Sequence, residues 1–336
     1  MEIVYEDPGG VGYHPVLHMA RLAAELLEAR LVVVPPKPTP ALRQLGALLP
    51  RGRGEDVCLL ICPSPSALLA LLRLPGWRRR FGRVVAWVFD SFWLDRIPRA
   101  FRKRRHVDHV FVAEREDRDA WEERMRVPVS WLPWGSDVLR LGSAGAERPF
   151  DLLRVGRQPP AWEDDAATAS ACARIGLRFH GRPEALEDAT DNQRTLLGAF
   201  ARAKFTLSFS NSVNPVIQTH PVRRYLTGRW TDALAAGATV AGVPPESEPA
   251  RALLWPEALL DLGTTALDPG LASVKAAAEA WTPERARRNH QRALERLDWR
   301  WRFARVARTL GIDPPALRRE LAELRRRAAV EELKTG

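Results

Sequence analysis

Apolar residues in the first half of the chain gather into short, nearly continuous runs at 2–6, 31–34, 57–62, 84–90, 109–113 and 129–133. Runs of that length predict strands buried on both faces, the pattern of a parallel sheet covered by helices. Between them, 14–29, 63–72, 95–104 and 114–125 read as helices. At 141–149 the pattern lapses into Leu141-Gly142-Ser143-Ala144-Gly145-Ala146-Glu147-Arg148-Pro149, small and polar, which reads as an inter-domain linker. The alternation restarts with strands at 150–156, 177–181, 205–210, 239–243 and 259–262, and helices near 163–175, 191–203, 230–236 and 247–253. From 268 onward the chain is almost wholly helical, broken at Pro283 and at Asp313-Pro314-Pro315. The expected fold class is α/β: two Rossmann-like, doubly wound parallel-sheet domains over 1–141 and 150–282, then a helical tail over 283–336.

Composition changes this picture little. The 336 residues are long enough for two cores, and no apolar run reaches the roughly 20 residues that cross a bilayer. The acidic, strand-like start Met1-Glu2-Ile3-Val4-Tyr5-Glu6-Asp7 is unlike a secretory leader, so a cytoplasmic location is expected. Cys58, Cys62 and Cys172 form no disulfide or zinc pattern and read as small core residues. The net charge of +10 comes almost entirely from arginine. It attracts nucleic acid, anionic membranes and phosphorylated substrates alike, and does not choose among them.

Candidate chemistry begins after the first strand. Glu6-Asp7-Pro8-Gly9-Gly10-Val11-Gly12-Tyr13-His14-Pro15 joins that strand to a helix. Gly9, Gly10 and Gly12 read as a loop approaching a phosphate or an acceptor, or as a tight turn. The third glycine of a dinucleotide fingerprint is missing, which speaks against NAD. His14 reads as a catalytic group or as a polar residue serving the helix start. Asp90 and Ser91 follow a buried strand, at the edge where open α/β sheets place ligands. Asp90 therefore reads as a contact to a sugar or acceptor hydroxyl, or as an N-cap for a helix over 94–101. In the second half, Leu153-Arg154-Val155-Gly156-Arg157 ends a strand in Gly-Arg. Thr227-Gly228-Arg229-Trp230-Thr231-Asp232 opens a short helix closed by Gly237. Cations and helix N-termini stabilise charge growing on a leaving diphosphate. Arg157 and Arg229 are candidate cations beside Gly156 and Gly228, and Asp232 is a candidate ribose ligand.

Four pieces in order, Gly9-Gly10-Val11-Gly12, Trp131-Leu132-Pro133-Trp134-Gly135-Ser136-Asp137, Val155-Gly156-Arg157 and Thr231-Asp232-Ala233-Leu234-Ala235-Ala236-Gly237, carry a resemblance. The chain resembles the group-1, family-4-like glycosyltransferases of the GT-B fold, including their spore-maturation-like branch. The resemblance implies a nucleotide-sugar donor held mainly by the second domain at Gly156, Arg157, Gly228, Arg229 and Asp232. It implies an acceptor held by the first domain near Gly9, Gly10, Gly12, His14 and Asp90. No essential metal and no resident cofactor are implied; the nucleotide sugar is a substrate. Retention at the anomeric carbon is implied too, as are last helices that return to the first domain. The family usually has two glutamates separated by seven residues in the donor region. Here Asp232 stands at the second position, with Arg224 eight residues before it.

Two basic stretches remain: Trp77-Arg78-Arg79-Arg80-Phe81, and 99–105 with Arg99, Arg102, Lys103, Arg104 and Arg105. Peripheral membrane contact through Arg78–Arg80 and Arg99–Arg105 is one reading. Nucleic-acid binding would look similar, although no specific nucleic-acid motif is present, and solvated helix faces are the third. Sugar transfer from a nucleotide-diphosphate donor to a hydroxyl-bearing acceptor is the leading expectation. A catalytically degenerate, glycosyltransferase-like binding scaffold is the alternative.

Overall fold

The computed structural model describes residues 1–52, 54–213 and 219–335. The chain divides into two compact units, Met1–Pro133 with Arg302–Leu321, and Trp134–Trp301 with Ala322–Gly336.

The first unit is built on six parallel strands: β1 (Glu2–Glu6), β2 (Arg30–Val34), β3 (Asp56–Cys62), β4 (Phe81–Val88), β5 (His109–Val112) and β6 (Val129–Trp131). Their order is β2-β1-β3-β4-β5-β6. Residues 58–62 and 84–88 are buried at every position, as the unbroken apolar runs require. Cys58 and Cys62 lie in this core with their thiols pushed up by burial, and Cys172 lies buried in the other unit. Trp121 and Phe101 fill one layer of the core from the helices Arg118–Met125 and Arg99–Lys103.

The second unit repeats the plan with five parallel strands: β7 (Phe150–Arg154), β8 (Phe179–His180), β9 (Ala203–Leu207), β10 (Thr239–Gly242) and β11 (Leu259–Asp261). Their order is β11-β10-β9-β7-β8. Numbered within each unit, the first five strands of both sheets therefore run 2-1-3-4-5. In both, the connection reverses direction between the first and third strands, the switch point at whose carboxyl ends open α/β sheets place ligands.

The division between units falls at Pro133/Trp134, upstream of the polar 141–149 segment. That segment is bound into the second unit. Ser143 N–H donates to Ala235 O, and the buried Arg148 guanidinium donates to Phe200 O, Ala203 O, Ala236 O and Gly145 O. With no carboxylate among these partners, burial pushes Arg148 down to about 10. The helix expected over 95–104 is a 3-10 turn at Leu94–Arg96 followed by a short helix at Arg99–Lys103, because Pro98 interrupts it. A helix absent from the sequence reading covers Ala41–Gly46.

Candidate functional site

At the first sheet's switch point, β1 runs into the glycine loop. Gly9 and Gly10 have φ of +80° and +83°, and Gly10 pairs this with ψ 153°, backbone that side-chain-bearing residues rarely adopt. Gly9 N–H donates to Asp7 Oδ1 at 3.0 Å. A Cβ at Gly9, Gly10 or Gly12 would meet nothing within 4 Å, so the loop is open. A 3-10 turn at Val11–Tyr13 leads into the helix His14–Leu26. His14 begins that helix, and its Nδ1 is buried without a hydrogen-bond partner among the described residues.

Asp90 stands two residues beyond β4, its N–H donating to Pro63 O at 3.0 Å beyond the end of β3. The turn carrying it is pinned by buried Ser91. That hydroxyl donates to Asp117 Oδ2 at 2.9 Å, and its carbonyl accepts from Trp121 Nε1 at 2.8 Å. Asp90 caps neither following element: Trp93 precedes the 3-10 turn and Pro98 the short helix. The N-cap reading is thereby removed. Its carboxylate accepts no hydrogen bond among the described residues, and burial raises it to about 7 against the opposing pull of Arg96. Arg96 lies over the Trp93 ring at 3.6 Å. The Asp90 charge also reaches Tyr13, whose phenol is raised by burial first and by Asp90 second. A half-buried carboxylate held near neutrality at the carboxyl edge of a sheet makes Asp90 a candidate functional residue.

The second unit's switch point lies between β7 and β9, and β7 delivers Val155-Gly156-Arg157 to it. Here three consecutive carbonyls each accept from a guanidinium. Arg229 Nη1 donates to Val155 O at 3.1 Å and to Arg157 O at 3.0 Å, and Arg182 Nη2 to Gly156 O at 3.2 Å. Gly156 has φ +71°, and a Cβ there would stand 2.7 Å from Arg229 Nη1. Arg229 is the second residue of the helix Gly228–Ala235, whose N-cap, Thr227, makes no side-chain cap bond. Burial, then the neighbouring charge of Arg157, pushes Arg229 down to about 10, so it stays cationic at neutral pH. Its Nε and Nη2 have no acceptor among the described residues. The loop's far side is fixed by Glu163, which accepts from Gln158 N–H at 2.8 Å and pairs with Arg154 at 2.7 Å and Arg182 at 3.2 Å.

Arg182 was missed by sequence reasoning, although a signal existed. Gly156-Arg157, Gly181-Arg182 and Gly228-Arg229 are the same dipeptide, twice just after a strand and once at a helix start. Arg182 and Arg229 are held on the loop carbonyls and the Arg157 charge reaches Arg229, a cradle of positive charge beside a helix N-terminus of the kind suited to phosphate groups.

Asp232 lies one turn along the same helix from Gly228. It is 2% exposed, with Oδ1 accepting from Ser136 Oγ at 2.6 Å and Oδ2 from Gln193 Nε2 at 2.8 Å. Its neighbour Thr231 donates through Oγ1 to Gly135 O at 2.7 Å. The Trp134-Gly135-Ser136-Asp137 motif is thus tied to the helix that bears Arg229. On its other side, Asp137 Oδ1 accepts from the fully buried Arg300 at 2.7 Å. Asp232→Ala is expected to destabilise the second unit by about 2 kcal/mol, since two buried donors lose their acceptor. Thermal melts check this; a variant with unchanged melting but weakened nucleotide binding would restore direct ribose contact.

Arg224 is exposed and pairs with the exposed Glu246 carboxylate at 3.1 Å. Among the described residues no group of three or more His, Cys, Asp or Glu side chains is placed to hold a metal ion. No described helix is long and apolar enough to cross a membrane.

No family model and no curated protein matches this sequence. Among solved structures the chain is similar to AviGT4, a glycosyltransferase involved in avilamycin A biosynthesis. Identity is 14% over 96% of this chain and 98% of that one, with a TM-score of 0.49. It is similar to the pneumococcal O-GlcNAc transferase GtfA, solved with UDP and GlcNAc, at 12% identity and a TM-score of 0.44. There 80% of this chain is covered, and it spans 59% of the length of that enzyme. A putative UDP-N-acetylglucosamine 2-epimerase from Listeria monocytogenes stands at 9% identity, 94% and 98% coverage and a TM-score of 0.49. These likenesses concern the fold alone.

Proposed function

We propose that the protein transfers a sugar from a nucleoside-diphosphate donor to a hydroxyl-bearing acceptor. The observation that carries this reading is the cradle around Gly156. Arg229 and Arg182, held on the loop carbonyls, with the Arg157 charge close by and the uncapped start of the Gly228–Ala235 helix, offer positive charge to a diphosphate. Charge grows on that diphosphate as the glycosidic bond breaks, and preorganised donors lower the barrier most where charge develops. The arginines supply this stabilisation in the role a metal plays elsewhere. Asp232 acts by positioning the cradle.

In the first unit, Asp90 accepts a hydrogen bond from the acceptor or sugar hydroxyl. His14 and the open Gly9, Gly10 and Gly12 loop line the same sheet edge. This division of labour, with retention of configuration, is the one the family resemblance implies. Isothermal titration with UDP, GDP, ADP and dTDP and their sugars tests it. At least one diphosphate is expected to bind at micromolar concentration; no binding across the panel would end the reading.

One observation favours a second reading, a scaffold that binds the nucleotide without transferring sugar. Where the family has its first glutamate this chain has Arg224, which is itself engaged with Glu246. Nucleotide binding without turnover or donor hydrolysis over long incubation would select this reading.

A further inference from the structure

The two basic stretches converge in the first unit, and they converge on leucines. The helix Ala41–Gly46 and the turn after it expose Leu42 by 80%, Leu45 by 61%, Leu48 by 39% and Leu49 by 53%. Arg104 Nε donates to Leu48 O at 2.9 Å, and Arg78 Nη2 to Pro50 O at 3.0 Å. Gly52 N–H donates to Arg78 O at 2.7 Å, and the buried His106 ring contacts Ala47 O. The stretches are therefore stitched to the leucine segment through backbone carbonyls, which leave the arginine charge uncompensated. Arg51 and Arg80 do meet carboxylates, at Asp108, Asp56 and Glu2. Arg79, Arg102, Lys103 and Arg105 are exposed and have no carboxylate partner among the described residues. The basic stretches lead into the amino ends of β4 and β5, whereas Asp90 and the glycine loop follow the carboxyl ends of β4 and β1.

The chemistry selects among partners for such a face. Single-stranded nucleic acid needs exposed aromatic rings on which bases stack. Here the rings interleaved with arginine, Trp77, Phe81 and Phe101, are buried at 8%, 0% and 1% exposure. The exposed leucines stand beside exposed cations. A bilayer accepts protruding apolar side chains without a matching pocket, while arginine and lysine stems lie along the interface with their heads on phosphate.

We propose that this face docks on an anionic lipid bilayer. Leu42, Leu45, Leu48 and Leu49 enter the headgroup–acyl boundary, and Arg79, Arg102, Lys103 and Arg105 bind headgroup phosphates. The proposal goes beyond sugar transfer and does not depend on it.

The test is co-sedimentation of the full chain with vesicles of phosphatidylcholine alone or mixed with phosphatidylglycerol. Binding is expected only with the anionic lipid. Leu42→Glu with Leu45→Glu, and Arg102→Glu with Arg105→Glu, are each expected to weaken it about tenfold or more. These positions are exposed, and circular dichroism checks that both variants keep the wild-type fold. Failure to bind anionic vesicles would overturn the proposal. So would a leucine variant that binds as the wild type does, since attraction would then be charge alone, as for an acidic polypeptide. A lipid-free dimer in sedimentation velocity that the leucine variant abolishes would overturn it in favour of a second copy of the chain.

Discussion

Asp90→Asn is expected to make the protein more stable above neutral pH and to remove most of its transfer activity. The folded state holds this carboxyl near 7, with burial as the largest cause, whereas an exposed aspartate titrates near 3.8. Between those values the folded chain keeps a proton that the unfolded chain has given up. Wild-type stability should therefore fall as pH rises from about 4 to about 7, with the penalty complete above it, up to about 4 kcal/mol. Asparagine has no such proton, so the variant's melting temperature should lose this part of the pH slope, and its advantage should appear at pH 8 and vanish at pH 4. Equal slopes in the two proteins would refute the burial argument. The same ionisation makes Asp90 a hydrogen-bond acceptor, so wild-type kcat/KM should rise through about pH 7. The variant should fall by about a hundredfold, the lower range for a positioned acid–base group. Full activity in the variant would remove Asp90 from the site while leaving the stability argument standing.

The strands that reach these residues were legible because burial on both faces leaves an uninterrupted apolar run. Val57-Cys58-Leu59-Leu60-Ile61-Cys62 and Val84-Val85-Ala86-Trp87-Val88 could be little else. The Ala41–Gly46 helix was not legible, because Leu42 and Leu45 face solvent and so give no one-sided burial pattern. Arg148 was hidden for the opposite reason. An arginine in a small, polar segment reads as solvated, yet its partners are main-chain carbonyls at 145, 200, 203 and 236, which no side-chain pattern records. Asp232 shows the same limit. Its type and its place in a short helix suit a ligand contact, and only the fold brings Ser136 and Gln193 to its two oxygens. Gly156-Arg157 and Gly228-Arg229 stood out from local chemistry as candidate phosphate contacts. That Arg229 crosses directly over Gly156 depends on a connection of more than seventy residues.

Arg229→Ala is expected to weaken binding of a nucleoside diphosphate about a hundredfold while leaving the free nucleoside unaffected. The unengaged Nε and Nη2 of this guanidinium are the donors a phosphate would meet, and each charge-assisted hydrogen bond contributes about 1.5–3 kcal/mol. The side chain also holds the loop, since its Nη1 serves Val155 O and Arg157 O together. Lysine keeps the charge but lacks the fork that bridges two carbonyls and still faces outward, so Arg229→Lys should recover only part of the affinity. Gly156→Ala supplies an independent approach to the same contact. A methyl 2.7 Å from Nη1 must displace the guanidinium, and φ of +71° adds about 1–2 kcal/mol of backbone strain. Titration of UDP or another binding diphosphate, alongside its nucleoside, separates the outcomes. Selective loss of the diphosphate places the phosphates on the cradle. An equal loss of both ligands would mean that Arg229 shapes the unit without touching phosphate, and an unchanged diphosphate affinity would move the donor site away from Gly156 altogether.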